Sequence, residues 1–105
     1  MKREMFVDIA VPRPLFQTFT YSVPASMKDQ LTPGSRVVVP FGRQHLIGMA
    51  VRVHREPHPG EVKPVRELLD REPLLSVRLL ELGLWLTSYY LAPPGEVLKV
   101  MLPPG

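Results

Sequence analysis

The sequence predicts a mainly β, α+β fold: a small, twisted, partly open β-barrel followed by one longer and one short helix. Three observations carry this expectation. The stretch Arg36–Val53, RVVVPFGRQHLIGMAVRV, reads as a β-hairpin. The 13 prolines among 105 residues far exceed the usual share of about 5%, and they are dispersed. Such spacing marks many short elements joined by stiff turns and disfavours a helical bundle. After Pro73 the chain changes character, to leucines and aromatics at helical spacing.

Taken in order, Met5–Val11 is apolar with one polar interruption and reads as a first strand, ended by Pro12 and Pro14. Thr18–Val23 alternates strictly, with Phe19, Tyr21 and Val23 on one face and Thr18, Thr20 and Ser22 on the other, a half-buried second strand closed by Pro24. Pro33-Gly34 is a turn signal leading into the hairpin. The first hairpin arm, Arg36–Phe41, is rich in β-branched residues; the second is Leu46–Val53, and Gly42-Arg43-Gln44-His45 is the expected turn. Pro40 cannot donate a ladder hydrogen bond, so it belongs at a strand edge or a bulge. The polar loop His54–Gly60 is too short to separate domains, and Val62–Asp70, with its Pro64, is read as an edge strand.

Ser76 is a suitable N-cap for a helix through VRLLELGLWLTSYYL. Leu79, Gly83, Leu86 and Tyr90 share one stripe, while Leu80, Leu82, Leu84 and Trp85 spread around the rest. A helix apolar nearly all round wants burial on more than one side. Either the small core wraps it or part of it packs on another segment. Pro93-Pro94 stops it, and Glu96–Met101 is expected to form a short second helix. The whole, 1–105, reads as a single domain: a β-rich barrel over about 1–72, then a helical extension and the start of a linker over 73–105. Its abrupt Leu-Pro-Pro-Gly end suggests a fragment of something longer.

A hydrophobic share of 45% with 22% charged residues is globular rather than disordered. The net charge of +3 and a pI near 9.6 suit an anionic partner without establishing one. There is no cysteine, hence no disulfide framework and no thiolate metal site. No apolar run approaches the roughly 20 residues of a membrane span, and no secretory signal opens the chain.

Catalytic chemistry finds little support. His45 lies in the expected turn, and His54 and His58 share one polar loop without acidic residues at metal-ligand spacing. The serines sit in neither a GxSxG elbow nor an SxxK setting, and no phosphate-cradling glycine loop is present. The chain is therefore not expected to be an enzyme by itself. Neither cofactor nor metal is expected.

Binding features are stronger. Phe19, Tyr21 and Phe41 fall among Arg43, Arg52, Arg55, Lys63 and Arg66 in the β-rich part. Aromatics among cations on a small barrel are what single-stranded nucleic acid binding uses: bases stack for roughly 1–3 kcal/mol each while cations meet phosphates. The same aromatics serve equally as core, and the residues alone leave both readings open.

In their order, VDIAVPRPLFQTFTYSVP, PGSRVVVPFGRQHLIGMAVRV, KPVRELLDREPLL and LTSYYLAPPGEVLKVMLP resemble the N-terminal 3′-end DNA-binding domain of the bacterial primosomal helicase PriA (primosomal protein N′). The RVxVPFG segment followed by IG is the most specific part, and YYxxPxGEVL the second. The resemblance covers essentially the whole chain. It implies an OB-like barrel that binds the 3′ end of a nascent strand at a stalled or abandoned fork, whatever the terminal base, as part of a longer ATP-dependent helicase whose motor motifs are absent here. It places Phe19, Thr20, Gly42 and Lys63 in the 3′-end pocket, with Tyr21, Phe41 and Arg43 as supporting contacts. It implies a cytoplasmic, nucleoid-associated protein. The partners it implies are DNA with a free 3′ end, the remainder of the helicase, single-stranded-DNA-binding protein and other primosome proteins.

Position 20 departs from the pattern, since some members carry Asp there, which accepts a stronger hydrogen bond from a terminal hydroxyl than a threonine does. Strand alternation also points Phe19 and Thr20 to opposite faces, so both can line one pocket only at an edge or a bend. A different class of function also fits: a protein-interaction domain docking on the helicase body through the apolar helix Val77–Tyr90, without specific recognition of DNA ends.

Overall fold

The computed structural model describes residues 4–13, 17–56, 58, 60–73, 75–90, 93, 94 and 97. Five strands form one antiparallel sheet: β1 (Phe6–Ala10), β2 (Phe19–Ser22), β3 (Arg36–Phe41), β4 (Gln44–His54) and β5 (Glu67–Leu68), in the order β2-β1-β4-β3-β5. One helix, α1 (Val77–Tyr90), follows.

The hairpin at the centre is tighter than the four-residue turn expected. Phe41 pairs with Gln44, so the turn is Gly42-Arg43 alone, with Gly42 at φ +61°, in the left-handed region that glycine occupies without strain. Gln44 and His45 belong to β4, where their polarity reflects an exposed strand end and not a loop.

At eleven residues β4 is long enough to pair first with β3 and then with β1. Its Gly48 answers a steric demand. A Cβ there would stand 2.9 Å from the Ala10 carbonyl oxygen and collide with the Ile9 side chain. Beyond it the register slips: Ile9 faces Ala50 while Asp8 faces Arg52, so Val51 is the extra residue of a β-bulge. The bulge inverts the side-chain alternation, which is why Leu46, Ala50 and Val53 all reach the same interior.

The sheet curls so that β2, at one edge, approaches β3, which β5 borders only at Val37 and Val38. At one end the chain before β5 ties them together. The Ser22 amide donates to the Lys63 carbonyl at 3.0 Å, the Val65 amide donates to the Ser22 carbonyl at 3.0 Å, and the Arg66 amide donates to the Val38 carbonyl at 2.8 Å. The strand expected over Val62–Asp70 is therefore reduced to a bridge at Pro64 and the two residues of β5. Pro64 has no amide hydrogen, so a longer ladder through it is unavailable. At the other end, past Val38, the edges remain apart. The result is an OB-like, partly open barrel.

Inside the curl lie Val7, Ile9, Tyr21, Val37, Val39 and Val65, all buried. A second, smaller cluster on the outer face joins Ala10 and Met49 to Leu75 and Leu80 and seats α1 against the sheet. Ser76 caps that helix as expected, its hydroxyl accepting the Leu79 amide hydrogen at 3.2 Å. Of the stripe Leu79, Gly83, Leu86 and Tyr90, Gly83 is seated and Leu79 is not. Leu80 and Gly83 are buried, whereas Val77, Leu79, Leu82 and Trp85 are 46–60% exposed. Further on, the Val97 amide donates to the Pro93 carbonyl at 3.2 Å, one helical turn; the rest of the short helix expected at Glu96–Met101 lies outside the described residues. No described helix is long and apolar enough to cross a membrane.

Candidate nucleic-acid interface

The open end of the barrel is a cleft of about 480 Å³ between the β2 edge and the β3–β4 turn. Phe19, Thr20, Gly42 and Lys63, far apart in sequence, all line it, together with Tyr21 and Phe41. Arg43 does not. It occupies the exposed second position of the turn beside the cleft.

One wall is aromatic. The rings of Phe19 and Phe41 meet edge to face with centroids 5.1 Å apart, each only partly buried, so a hydrocarbon surface is offered to the cleft. Next to them Gly42 forms the floor. A Cβ built there would meet no protein atom within 4 Å, which leaves a guest free to approach the backbone. Lys63 also lines the cleft, its carbonyl accepting the Ser22 amide hydrogen. Among the described residues no carboxylate pairs with its ammonium group.

Thr20 resolves the conflict of faces. Its hydroxyl turns away from the Phe19 side and donates to the Asp8 carboxylate at 2.8 Å. His54 holds the same carboxylate oxygen through Nε2 at 3.0 Å while its Nδ1 accepts the Glu56 amide hydrogen at 3.2 Å, so both ring nitrogens are occupied. The part of Thr20 that faces the cleft is its main chain. The Val23 amide bonds inward to the Met5 carbonyl of the chain leading into β1, whereas the Ser22 amide and carbonyl bond outward to Lys63 and Val65. Thr20 shares the parity of Ser22. Its N–H and C=O therefore point out of the edge, into the gap, with no partner among the described residues.

Tyr21 is structural as well as adjacent. Its ring is buried and its hydroxyl donates to the Pro40 carbonyl at 2.7 Å. Burial pushes the phenol's pKa up, which keeps the proton on the donor. At the far end of β3, Asp70 accepts three hydrogen bonds from Arg36, from the backbone amide at 2.8 Å and from Nε and Nη2 at 3.0 and 3.1 Å. Burial alone would raise the Asp70 carboxyl; the bonds from Arg36 and its charge outweigh this and hold it below the usual carboxylate range. That pair fixes β5 to β3, away from the cleft.

Sequence reading passed over His58 and Glu61, which also line the cleft. His58 falls in the polar loop His54–Gly60 and Glu61 between that loop and the expected strand, and their one signal is nearness to Lys63. Among the described residues, no group of three or more His, Cys, Asp or Glu side chains is placed to hold a metal ion.

Comparison with known proteins identifies the family. The model of the 3'DNA-binding domain (3'BD) family of PriA matches residues 8–103. The chain is similar to the replication restart protein PriA of Bacillus subtilis (strain 168), 33% identical over 102 residues that make up 95% of this chain and 12% of that protein. The PriA of Buchnera aphidicola subsp. Acyrthosiphon pisum (strain APS) is 29% identical over 101 residues, 94% of this chain and 14% of that protein. That of Rickettsia felis is 30% identical over 95 residues, 90% and 14% respectively. The chain thus spans about an eighth of the length of these relatives, and what it matches is their DNA-binding domain and not a helicase motor. This chain belongs to the PriA 3′ DNA-binding domain family.

Proposed function

We propose that this chain binds the 3′ terminus of a nascent DNA strand at stalled or abandoned replication forks, independently of sequence, and so directs a longer helicase in replication restart. The observation that supports this best is the convergence of Phe19, Thr20, Gly42 and Lys63 around one cleft at the open end of the barrel. The terminal base or sugar packs on Phe19, which is sequence-tolerant because every base has an apolar face. Gly42 admits the end of the strand against the backbone. Lys63 meets a phosphate as a compact, flexible cation. Thr20 offers its edge main-chain donor and acceptor. Phe41, Tyr21 and Arg43 support the wall and the approach. A cytoplasmic, nucleoid-associated setting and contact with single-stranded-DNA-binding protein and other primosome proteins belong to the same proposal.

The test is binding of the chain to short oligonucleotides that differ only at their ends. A 3′-phosphate is expected to weaken binding severalfold, while a 5′-phosphate changes it less than twofold. Salt dependence is expected to be shallow, at about 0.7 logarithmic units per phosphate engaged on a single strand. Indifference to both end groups would defeat the proposal.

A second reading rests on a separate observation, the exposed apolar face of α1 at Val77, Leu79, Leu82 and Trp85. In it the helix docks on the body of the longer protein. Leu82→Asp would then abolish that association and leave DNA binding intact.

A further inference from the structure

We infer that Glu61 is the residue that distinguishes a free 3′-hydroxyl from a 3′-phosphate; this rests on the 3′-end reading above. The chemical problem is specific. A strand end bearing a hydroxyl differs from one bearing phosphate in two ways: it can donate a hydrogen bond, and it lacks negative charge. A carboxylate answers both differences at once, because it accepts the hydroxyl hydrogen and repels the phosphate.

Glu61 is the only Asp or Glu among the described residues that line the cleft. It is exposed, and among the described residues neither a cation nor a hydrogen-bond donor engages its carboxylate. Gln17, Thr18 and His58 also line the cleft but carry no negative charge, and the two side chains already placed at the strand end offer none either. Thr20 donates its hydroxyl hydrogen bond to Asp8, on the opposite face of the sheet, and Asp8 is itself held by His54. Lys63 has no acceptor atom to offer.

The position of Glu61 is set from its C-terminal side. Two residues on, the Lys63 carbonyl is bonded to the Ser22 amide, and Val65 returns a bond to Ser22. Glu61 and Lys63, two residues apart in the chain, both line the cleft. An ammonium and a carboxylate so placed orient one nucleotide: its 5′ phosphate toward Lys63, its 3′ hydroxyl toward Glu61. Reversed, the nucleotide would set phosphate against carboxylate. Glu61 therefore selects polarity as well as end chemistry.

The experiment is equilibrium binding of the 105-residue chain and its Glu61→Gln and Lys63→Gln variants to one oligonucleotide made with a 3′-hydroxyl, a 3′-hydrogen or a 3′-phosphate terminus. Glu61 lies in an exposed connector, so E61Q leaves folding unchanged, verified by its thermal midpoint. The native chain is expected to prefer hydroxyl over phosphate at least fivefold. In E61Q that preference falls below twofold, chiefly because the phosphate form binds more tightly. K63Q weakens all three forms by a similar factor. An E61Q variant that discriminates as well as the native chain overturns the role of Glu61 and leaves the 3′-end reading standing. A native chain that does not discriminate overturns both.

Discussion

The Tyr21 hydroxyl donates to the Pro40 carbonyl oxygen across the open end of the barrel, 2.7 Å away. Each partner explains the other. Arg36 and Val38 direct their main-chain polar groups toward the β5 side, accepting bonds from Leu69 and Arg66. Pro40 has the same parity, but β5 has ended by then. Its missing amide hydrogen needs no partner, and its carbonyl would be left without one. The phenol supplies that partner from β2, the opposite edge, and so sets the width of the cleft.

Tyr21→Phe should therefore cost about 1 kcal/mol of stability, the ordinary net value of such a bond. For a domain of this size that corresponds to a fall of about 4–8 °C in thermal midpoint. Calorimetry on the two proteins checks it. An unchanged midpoint would mean that the bond does not brace the edges.

Two glycines should respond oppositely. At Gly42 the backbone is left-handed but the space above it is open. Asn tolerates that conformation, so Gly42→Asn should shift stability by less than about 1 kcal/mol while reducing DNA binding tenfold or more. Gly48→Ala places a methyl against Ile9 and the Ala10 carbonyl, inside the sheet. It should lose about 2 kcal/mol by overpacking, with a proportionate fall in the urea midpoint.

Thr20→Val removes the hydroxyl bonded to Asp8 but keeps the strand edge. A stability loss of about 1 kcal/mol is expected, since Asp8 retains His54. Affinity for a free 3′ end should change less than threefold. A tenfold loss without unfolding would assign the side chain, and not the main chain, to the ligand.

Acid should weaken the Arg36–Asp70 anchor. The folded carboxyl titrates below its unfolded value of about 3.9. Its contribution is thus complete above that pH and disappears as pH falls through the folded value. Asp70→Asn should lose about 1.5 kcal/mol at neutral pH, the low end for hydrogen bonds to a charged group because the Arg36 side chain is 38% exposed. The same variant should flatten the acid limb of stability below about pH 4, measured by urea melts at successively lower pH.

Much of this was legible before any coordinates. The β-branched run Arg36–Phe41 has the bounds expected of it, and the alternation of Thr18–Val23 sorted Phe19, Tyr21 and Val23 onto the buried face. Other features were invisible for physical reasons. Gln44 and His45 are polar because they end an exposed strand, and polarity alone does not separate that from a turn. Nothing local marks the Val51 bulge, which depends on what β1 requires of β4. The seated face of α1 is chosen by the sheet it meets, so a helix apolar on all sides gave no preference for Leu80 over Leu79. Phe19, Gly42 and Lys63 were singled out by family likeness, and their convergence on one cleft is tertiary. The outward main chain of Thr20 follows from which strands lack a neighbour, a property of pairing that no single segment carries.

The most direct measurement is amide chemical-shift mapping of the chain with a trinucleotide carrying a free 3′-hydroxyl. Shifts concentrated at Thr20, Gly42 and Lys63, and much reduced when the hydroxyl is replaced by phosphate, are predicted. Shifts confined to α1 or to the outer sheet face around Asp8 and Arg52, or equal for both oligonucleotides, would contradict a cleft built for the end of a strand.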